Sequence, residues 1–419
     1  MKIYPSTLKQ VPEAADDRIP AGQAPPQQNA WVPRLVPGAP LSRARIMQAL
    51  WRLLKAPLAV QAEIADSVSV LRCEAYRRNI ENYVGTVKVP VGIVGPVRVN
   101  GRFARGDYMV PLATTEAALV ASYNRGAKIL RDAGVSSARI LDQGVSRVPG
   151  FVFASMQDAV DFAGWVKSQT RAIRRAAEST TRFGRLIRMT CIPEGRYAFL
   201  KLEFDTQDAS GQNMVTIAAQ AVCEHIRACS PVRPLSVYIE SNLSGDKKAS
   251  REALNSVRGR KVAAEATLPE AMVRAGLHTT PAEMVRYYRM AVTACSLAGT
   301  LGTQGHFANG LAALYLACGQ DAACVAESAI GHTCFEVLPG GDLYCSVSLP
   351  GLMVATVGGG TGLPSQKACL DILGLHGPGK APALAEVAAV LCLAGEISIV
   401  GAICAGEFTR AHQQMARAF

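Results

Sequence analysis

At 419 residues, 49% of them hydrophobic, the chain is long enough for two or three domains and too apolar to be disordered. Its formal charge of +11 favours anionic partners, whether nucleic acid, membrane lipid or phosphorylated small molecules, without choosing among them. Twelve cysteines lie without a CxxC, and the pairs Cys223/Cys229 and Cys318/Cys324 match no usual zinc spacing, so reduced, buried thiols and no metal are expected.

Residues 1–40 carry eight prolines and no sustained periodicity, which reads as a flexible leader without a secretory signal. A helical segment follows over 41–80, where "LSRARIMQALWRLLKA" places Ile46, Leu50, Leu53 and Leu54 on one face. "VPLATTEAALVASYNRG" (110–126) reads as a helix of small residues with Glu116 near its start. A cap by Thr114 or Thr115 with an acid favouring the dipole explains Glu116 locally, and nothing nearby excludes that.

Over 149–240 the pattern is strand, helix, two strands around "PEGR", helix, strand: the βαββαβ order of a ferredoxin-like unit. Residues 81–148 and 241–419 then form a larger, mostly helical unit into which it is inserted, so the fold class is α+β. The second helix of the small unit starts at "DASGQNM", where exposed N–H groups suit a pyrophosphate and Asp208 equally suits an ordinary cap. Arg182, Arg185 and Arg188 gather cations on the same unit, suited to a phosphate monoester.

"VGGGTGLP" has its third glycine misplaced for a dinucleotide fingerprint and reads as a close backbone approach. "SNLSGDKKAS" is a loop able to aim a lysine at a developing oxyanion. In "GHFANGLAALYLACGQD", Asp321 also reads as a plain cap, and the apolar "VAAVLCLAGEISIVGAICAG", interrupted by Glu396, reads as a buried helix rather than a membrane span. His412, near the end, has no local argument for a role.

In order, "ENYVGTVKVPVGIVGP", "PLATTEAALVASYNRG", "DASGQNM", "SNLSGDKK", "GHFAN", "ACGQD", "GGGTGLPSQKACLDILG" and "GEFTRAH" resemble 3-hydroxy-3-methylglutaryl-CoA (HMG-CoA) reductase over about residues 70–415. "TRF" and "DKK" resemble the eukaryotic-type form, class I of the family, and a soluble form without that branch's membrane anchor is expected.

The resemblance implies NADPH-dependent reduction of HMG-CoA to mevalonate through a hemithioacetal and mevaldehyde, in a cytoplasmic homodimer or dimer-based homotetramer with sites at subunit interfaces. Neither nucleic acid nor membrane is implied as a partner. Glu116, Lys247, Asp321 and His412 correspond to catalytic groups, and Arg147, Ser241, Asp246, Lys248 and Asn309 to contacts with the substrate's acid end, Asn309 also holding Lys247. Glu81, Asn82, Ser122, Asn124 and Arg125 correspond to the CoA side. Arg182, Phe183, Asp208, Ser210, Gly211, Gln212, Asn213 and Met214 correspond to the dinucleotide contacts, Arg182 gripping the 2′-phosphate.

Three departures stand out. Ser210 and Gln212 replace methionines of the usual DAMGMNM, Phe307 adds bulk beside His306, and the regulation by phosphorylation of a serine after the tail histidine, known in some relatives, is expected to be absent. They leave open a reductase of a related acyl-CoA or an inhibitor-tolerant duplicate. A nucleic-acid-binding protein is disfavoured, because aromatics are only 6% and do not interleave with the arginines.

Overall fold

The computed structural model describes residues 43–134 and 136–409. They form two compact units, one ending at Val87 and one beginning at Lys88.

The first unit comprises helices α1 (Arg43–Leu54), α2 (Leu58–Ile64) and α3 (Ser67–Leu71). Its core is Met47, Trp51, Cys73 and Tyr83, with the Trp51 indole N–H donating to the Val84 carbonyl at 2.9 Å. The buried face of α1 is therefore Met47, Leu50 and Trp51, while Leu53 and Leu54 are exposed. The expected stripe is rotated because the tryptophan brings the larger apolar area. Since Tyr83 belongs to this core, Glu81 and Asn82 lie in this unit and not in the larger one.

The second unit runs β1 (Val91–Asn100), β2 (Arg105–Ala113), α4 (Leu119–Asp132), β3 (Ser136–Arg147) and β4 (Gly150–Val152). Then come α5 (Met156–Ser168), α6 (Thr170–Glu178), β5 (Arg185–Glu194), β6 (Tyr197–Asp205), α7 (Gln212–Cys229) and β7 (Ser236–Tyr238). The chain continues through α8 (Arg251–Asn255), β8 (Gly259–Leu268), α9 (Glu270–Leu277), α10 (Pro281–Ala298), α11 (Phe307–Ala317) and α12 (Val325–Ser328). It closes with β9 (His332–Val337), β10 (Leu343–Leu352), α13 (Pro364–Ile372) and α14 (Ala381–Cys404).

The α+β class holds, and the βαββαβ order appears as read, with strands side by side as β7-β4-β6-β5 and every neighbouring pair antiparallel. Two details differ. The first helix breaks into α5 and α6 around Gln169, and the larger part carries six strands as well as its helices. Long β3 joins the two parts: Ser137 to Gly144 pair with β8, its last three residues pair with β6, and a bulge lies between Ile140 and Asp142.

Helix α14 runs through the core of the larger part, and almost every residue from Ala381 to Ala402 is buried. Among the described residues it is the one helix long and apolar enough to span a membrane, yet its surface is covered by protein. Its close neighbour is α4: a Cβ on Gly126 would fall 1.9 Å from the Ala394 carbonyl oxygen, so glycine there permits helix contact. Two acids interrupt α14. Glu386 accepts from the N–H groups of Arg102, Phe103 and Ala104 at 2.8–3.0 Å, closing the β1–β2 turn.

Candidate active site

Glu116 does not open a helix. "VPLA" finishes β2, Thr114–Glu116 form a loop, and α4 begins at Leu119 behind a left-handed Ala118 with φ of 67°. The capping reading therefore fails, and Thr114 Oγ1 instead accepts from the Glu116 N–H at 3.0 Å. The exposed carboxylate points outward, and its Oε2 accepts from Asn309 Nδ2 at 2.8 Å in the first turn of α11. Asn309 thus holds Glu116 and not Lys247.

Glu116 and Asn309 line a cavity of about 460 Å³ with Ser122, Arg125, His306 and Phe408. His306 is stacked on Tyr123 at 4.9 Å, and burial lowers its basicity, the charge of Glu116 opposing. The bulky Phe307 turns away from the cavity into the core, where it is fully buried. Behind the cavity, the buried Glu396 accepts from the N–H groups of Gly305 (2.9 Å) and His306 (2.5 Å) and from Thr333 Oγ1 (3.0 Å). This carboxylate fixes the loop that leads into α11. Burial pushes its carboxyl up to about 7, the three donors opposing.

Lys247 and Asp321 form a second pair, Nζ to Oδ2 at 2.9 Å. Asp321 also caps its own turn by accepting from Ala323 N–H at 3.1 Å, so the local capping reading of this residue is met alongside its pairing with Lys247. The hydrogen bond to Asp321 raises the Lys247 ammonium above its ordinary value, partial burial opposing. No hydrogen bond or ion pair joins this pair to Glu116 and Asn309 among the described residues.

Beside Lys247 lies a charged cluster. The nearly buried Arg147 donates through Nη1 to Glu240 (2.8 Å) and Asp246 (3.3 Å), and through Nη2 to Gln212 (3.4 Å). The Ser241 hydroxyl donates to the Val148 carbonyl at 2.8 Å, and Lys248 Nζ to the Asp246 carbonyl at 3.0 Å. Arg147 and Asp246 are thus each other's partners.

Gly211, with φ of 72°, precedes α7, and no side chain caps this helix. A Cβ there would sit 2.3 Å from Thr206 Cγ2, so the position demands glycine. Asp208 is spent elsewhere: its carboxylate accepts from Gly379 N–H (2.7 Å) and Ala381 N–H (3.1 Å), capping α14 rather than α7. Met214 reaches the loop that bears Arg182 and Phe183, taking the Thr181 hydroxyl on its sulfur at 3.2 Å. Arg182 and Phe183 are exposed, and Ser210 and Asn213 flank the uncapped turn. Gln212 turns inward to the charged cluster.

On the proposed CoA side, Ser122 meets Ser398 Oγ at 3.1 Å, and Arg125 donates to the Ser398 carbonyl at 2.7 Å. Asn124 is structural: it accepts from Gly95 N–H at 2.8 Å and donates to the Ile93 carbonyl at 3.1 Å, bracing the bulge of β1. His412 lies outside the described residues.

The family model described as hydroxymethylglutaryl-coenzyme A reductase matches residues 47–417. The chain belongs to this family. It is 39% identical over 360 residues to the 3-hydroxy-3-methylglutaryl-coenzyme A reductase of Methanothermobacter thermautotrophicus, covering 85% of this chain and 90% of the relative. Identity to the Haloferax volcanii enzyme of the same name is 42% over 352 residues, 82% of this chain and 86% of that one. A solved structure of the class II enzyme from Streptococcus pneumoniae bound to NADPH shares the fold, with a TM-score of 0.65 at 21% identity, covering 85% of this chain and 96% of that one.

Sequence reasoning passed over Glu327, Arg258 and Glu386, although an acid inside an apolar helix was a visible signal at Glu386 as it was at Glu396.

Proposed function

We infer that this member of the family carries out the reaction for which the family is named: HMG-CoA takes two hydrides and two protons, the C–S bond breaks, and mevalonate and CoA leave. The observation that carries the residue roles is the pairing of Lys247 with Asp321 and of Glu116 with Asn309, positions that resemble the family's catalytic groups.

NADPH supplies the hydrides. The residues suit it: an uncapped α7 start offers N–H groups and positive dipole to a pyrophosphate, with the exposed Arg182 close by in the chain to Met214's partner Thr181.

Lys247, its ammonium kept protonated by Asp321, neutralises the oxyanion that develops on the thioester carbonyl and again on the aldehyde. Glu116, oriented by Asn309, delivers the proton to the aldehyde oxygen. His412 is assigned the protonation of the departing thiolate, a task within the imidazole range. Ser122 and Arg125 line the cavity that takes the CoA side.

The two pairs come together across a homodimer, each copy supplying one. In support, no hydrogen bond or ion pair joins them among the described residues, and the second half of α10 exposes Met290 and Leu297. "TRF" and "DKK" support the eukaryotic-type branch, although both relatives above are archaeal. A cytoplasmic location accompanies this reading. Neither the buried Phe307 nor Gln212 lines the cavity that holds Glu116, which supports HMG-CoA over a different acyl-CoA. Turnover of a panel of acyl-CoA thioesters tests this: HMG-CoA should lead, and faster NADPH oxidation with another thioester would redirect the assignment.

A further inference from the structure

Lys247 is held in a left-handed backbone conformation, with φ of 57°. A residue with a side chain stays there only where its surroundings fix it. The fixing group comes from α12: the Lys247 N–H donates to Glu327 Oε2 at 2.7 Å. Glu327 has no exposed surface, and the same oxygen faces Arg258 Nε at 3.4 Å, an arginine that is itself 1% exposed. Arg258 Nη2 continues to Asp246 Oδ1 at 2.6 Å and to Gln212 Oε1 at 2.8 Å. One buried ion pair thus grips Lys247 through its own N–H, the residue before it, and the first residue of α7.

Such a pair is a poor stabiliser. Arg258 Nε has no hydrogen-bond partner among the described residues, the side-chain donor to Glu327 is the weak Cys324 thiol, and burial raises the Glu327 carboxyl despite Arg258. Packed apolar side chains would serve stability at least as well. What they could not do is accept the Lys247 N–H.

We propose that Glu327 is a positioning residue for Lys247: seated on Arg258, its carboxylate fixes the left-handed turn that aims the ammonium at the reacting carbonyl. This rests on the role of Lys247 given above. The same contacts make Gln212 the link by which the start of α7 and the lysine loop share one anchor, at a position where the usual family motif has methionine.

The test uses the purified full chain and the variants Lys247→Met, Glu327→Ala and Glu327→Gln, with kcat, both KM values and the melting temperature measured for each. Glu327→Ala should lower kcat about 100-fold, the scale for a misplaced catalytic group, while KM for NADPH stays within about twofold. Glu327→Gln, which keeps an oxygen for the N–H, should recover at least about tenfold of that loss. In the Lys247→Met background, Glu327→Ala should cost nothing further.

A folded Glu327→Ala enzyme with wild-type kcat overturns the proposal, as do equal losses in the two Glu327 variants. If the alanine variant does not fold, the glutamine variant decides. Lowered kcat at an unchanged melting temperature and KM for NADPH supports positioning, whereas wild-type kcat with a lowered melting temperature overturns it. A Lys247→Met enzyme with wild-type kcat would instead refute the lysine assignment itself.

Discussion

Glu396→Gln gives a pH signature that follows from the sign of one perturbed group. Burial holds this carboxyl at about 7 against an ordinary 4.5. Between those values the folded chain binds a proton that the unfolded chain has released. Glu396 therefore stabilises the fold at the acid end of that window, and the contribution is lost as pH rises through about 7.

Shifting a carboxyl from 4.5 to about 7 corresponds to at most about 3 kcal/mol. Glutamine titrates nowhere in this range. Its amide oxygen can still accept from the Gly305 and His306 N–H groups while its N–H₂ meets the Thr333 hydroxyl, so the variant resembles the protonated carboxyl. The prediction concerns the slope. Urea unfolding at fixed protein concentration from pH 5 to pH 8 should show the wild-type advantage over Glu396→Gln shrinking by up to about 3 kcal/mol. The buried His306, lowered by burial, contributes the opposite slope, and Glu327, raised by burial, the same slope as Glu396. Both are present in the two proteins and cancel in the difference. Parallel stability curves across that range would refute the reasoning.

Gly211→Ala must place a Cβ 2.3 Å from Thr206 at a φ of 72°, so α7 should start askew and KM for NADPH should rise about tenfold or more, with thermal stability also reduced. Unchanged cofactor kinetics would show that this turn does not bind the dinucleotide. Replacing Arg182 with Ala should raise KM for NADPH about tenfold or more and leave KM for NADH nearly unchanged; equal effects would contradict a 2′-phosphate grip. Asp321→Asn removes the partner that raises the Lys247 ammonium, so the basic limb of the kcat profile should move to lower pH. A fixed limb would mean that another group sets it. His412→Ala should slow the overall reaction while sparing reduction of free mevaldehyde, which has no thiolate to protonate; comparable losses in both would assign the histidine elsewhere.

The ferredoxin-like order was legible because alternating strands and long amphipathic helices follow one another between clear turns, and burial follows that pattern in β6. The six strands of the larger part were hidden for two reasons. Only a short loop, Thr114 to Ala118, separates β2 from the small-residue stretch of α4, so "VPLATTEAALVASYNRG" shows one apolar pattern across two elements. Strands β8 and β10 also hold alanine, serine and glycine beside the larger residues, since they pack close to α14.

Within the proposed site, the motifs singled out Glu116, Lys247, Asp321 and Asn309, but spacing cannot say which side chains meet. Asn309 reaches Glu116 across the fold, Asp208 caps a helix 173 residues further on, and Asn124 turns back onto β1. Glu327 was invisible because its partners, Lys247 and Arg258, come from separate segments brought together only by folding.

The most direct test of the central claim is stoichiometry: HMG-CoA in limiting amount, with NADPH consumption, CoA release and mevalonate measured in one reaction. Two NADPH consumed for each CoA and each mevalonate formed is the expected result. No NADPH oxidation with this thioester, or one NADPH per CoA with the aldehyde accumulating, would contradict the account.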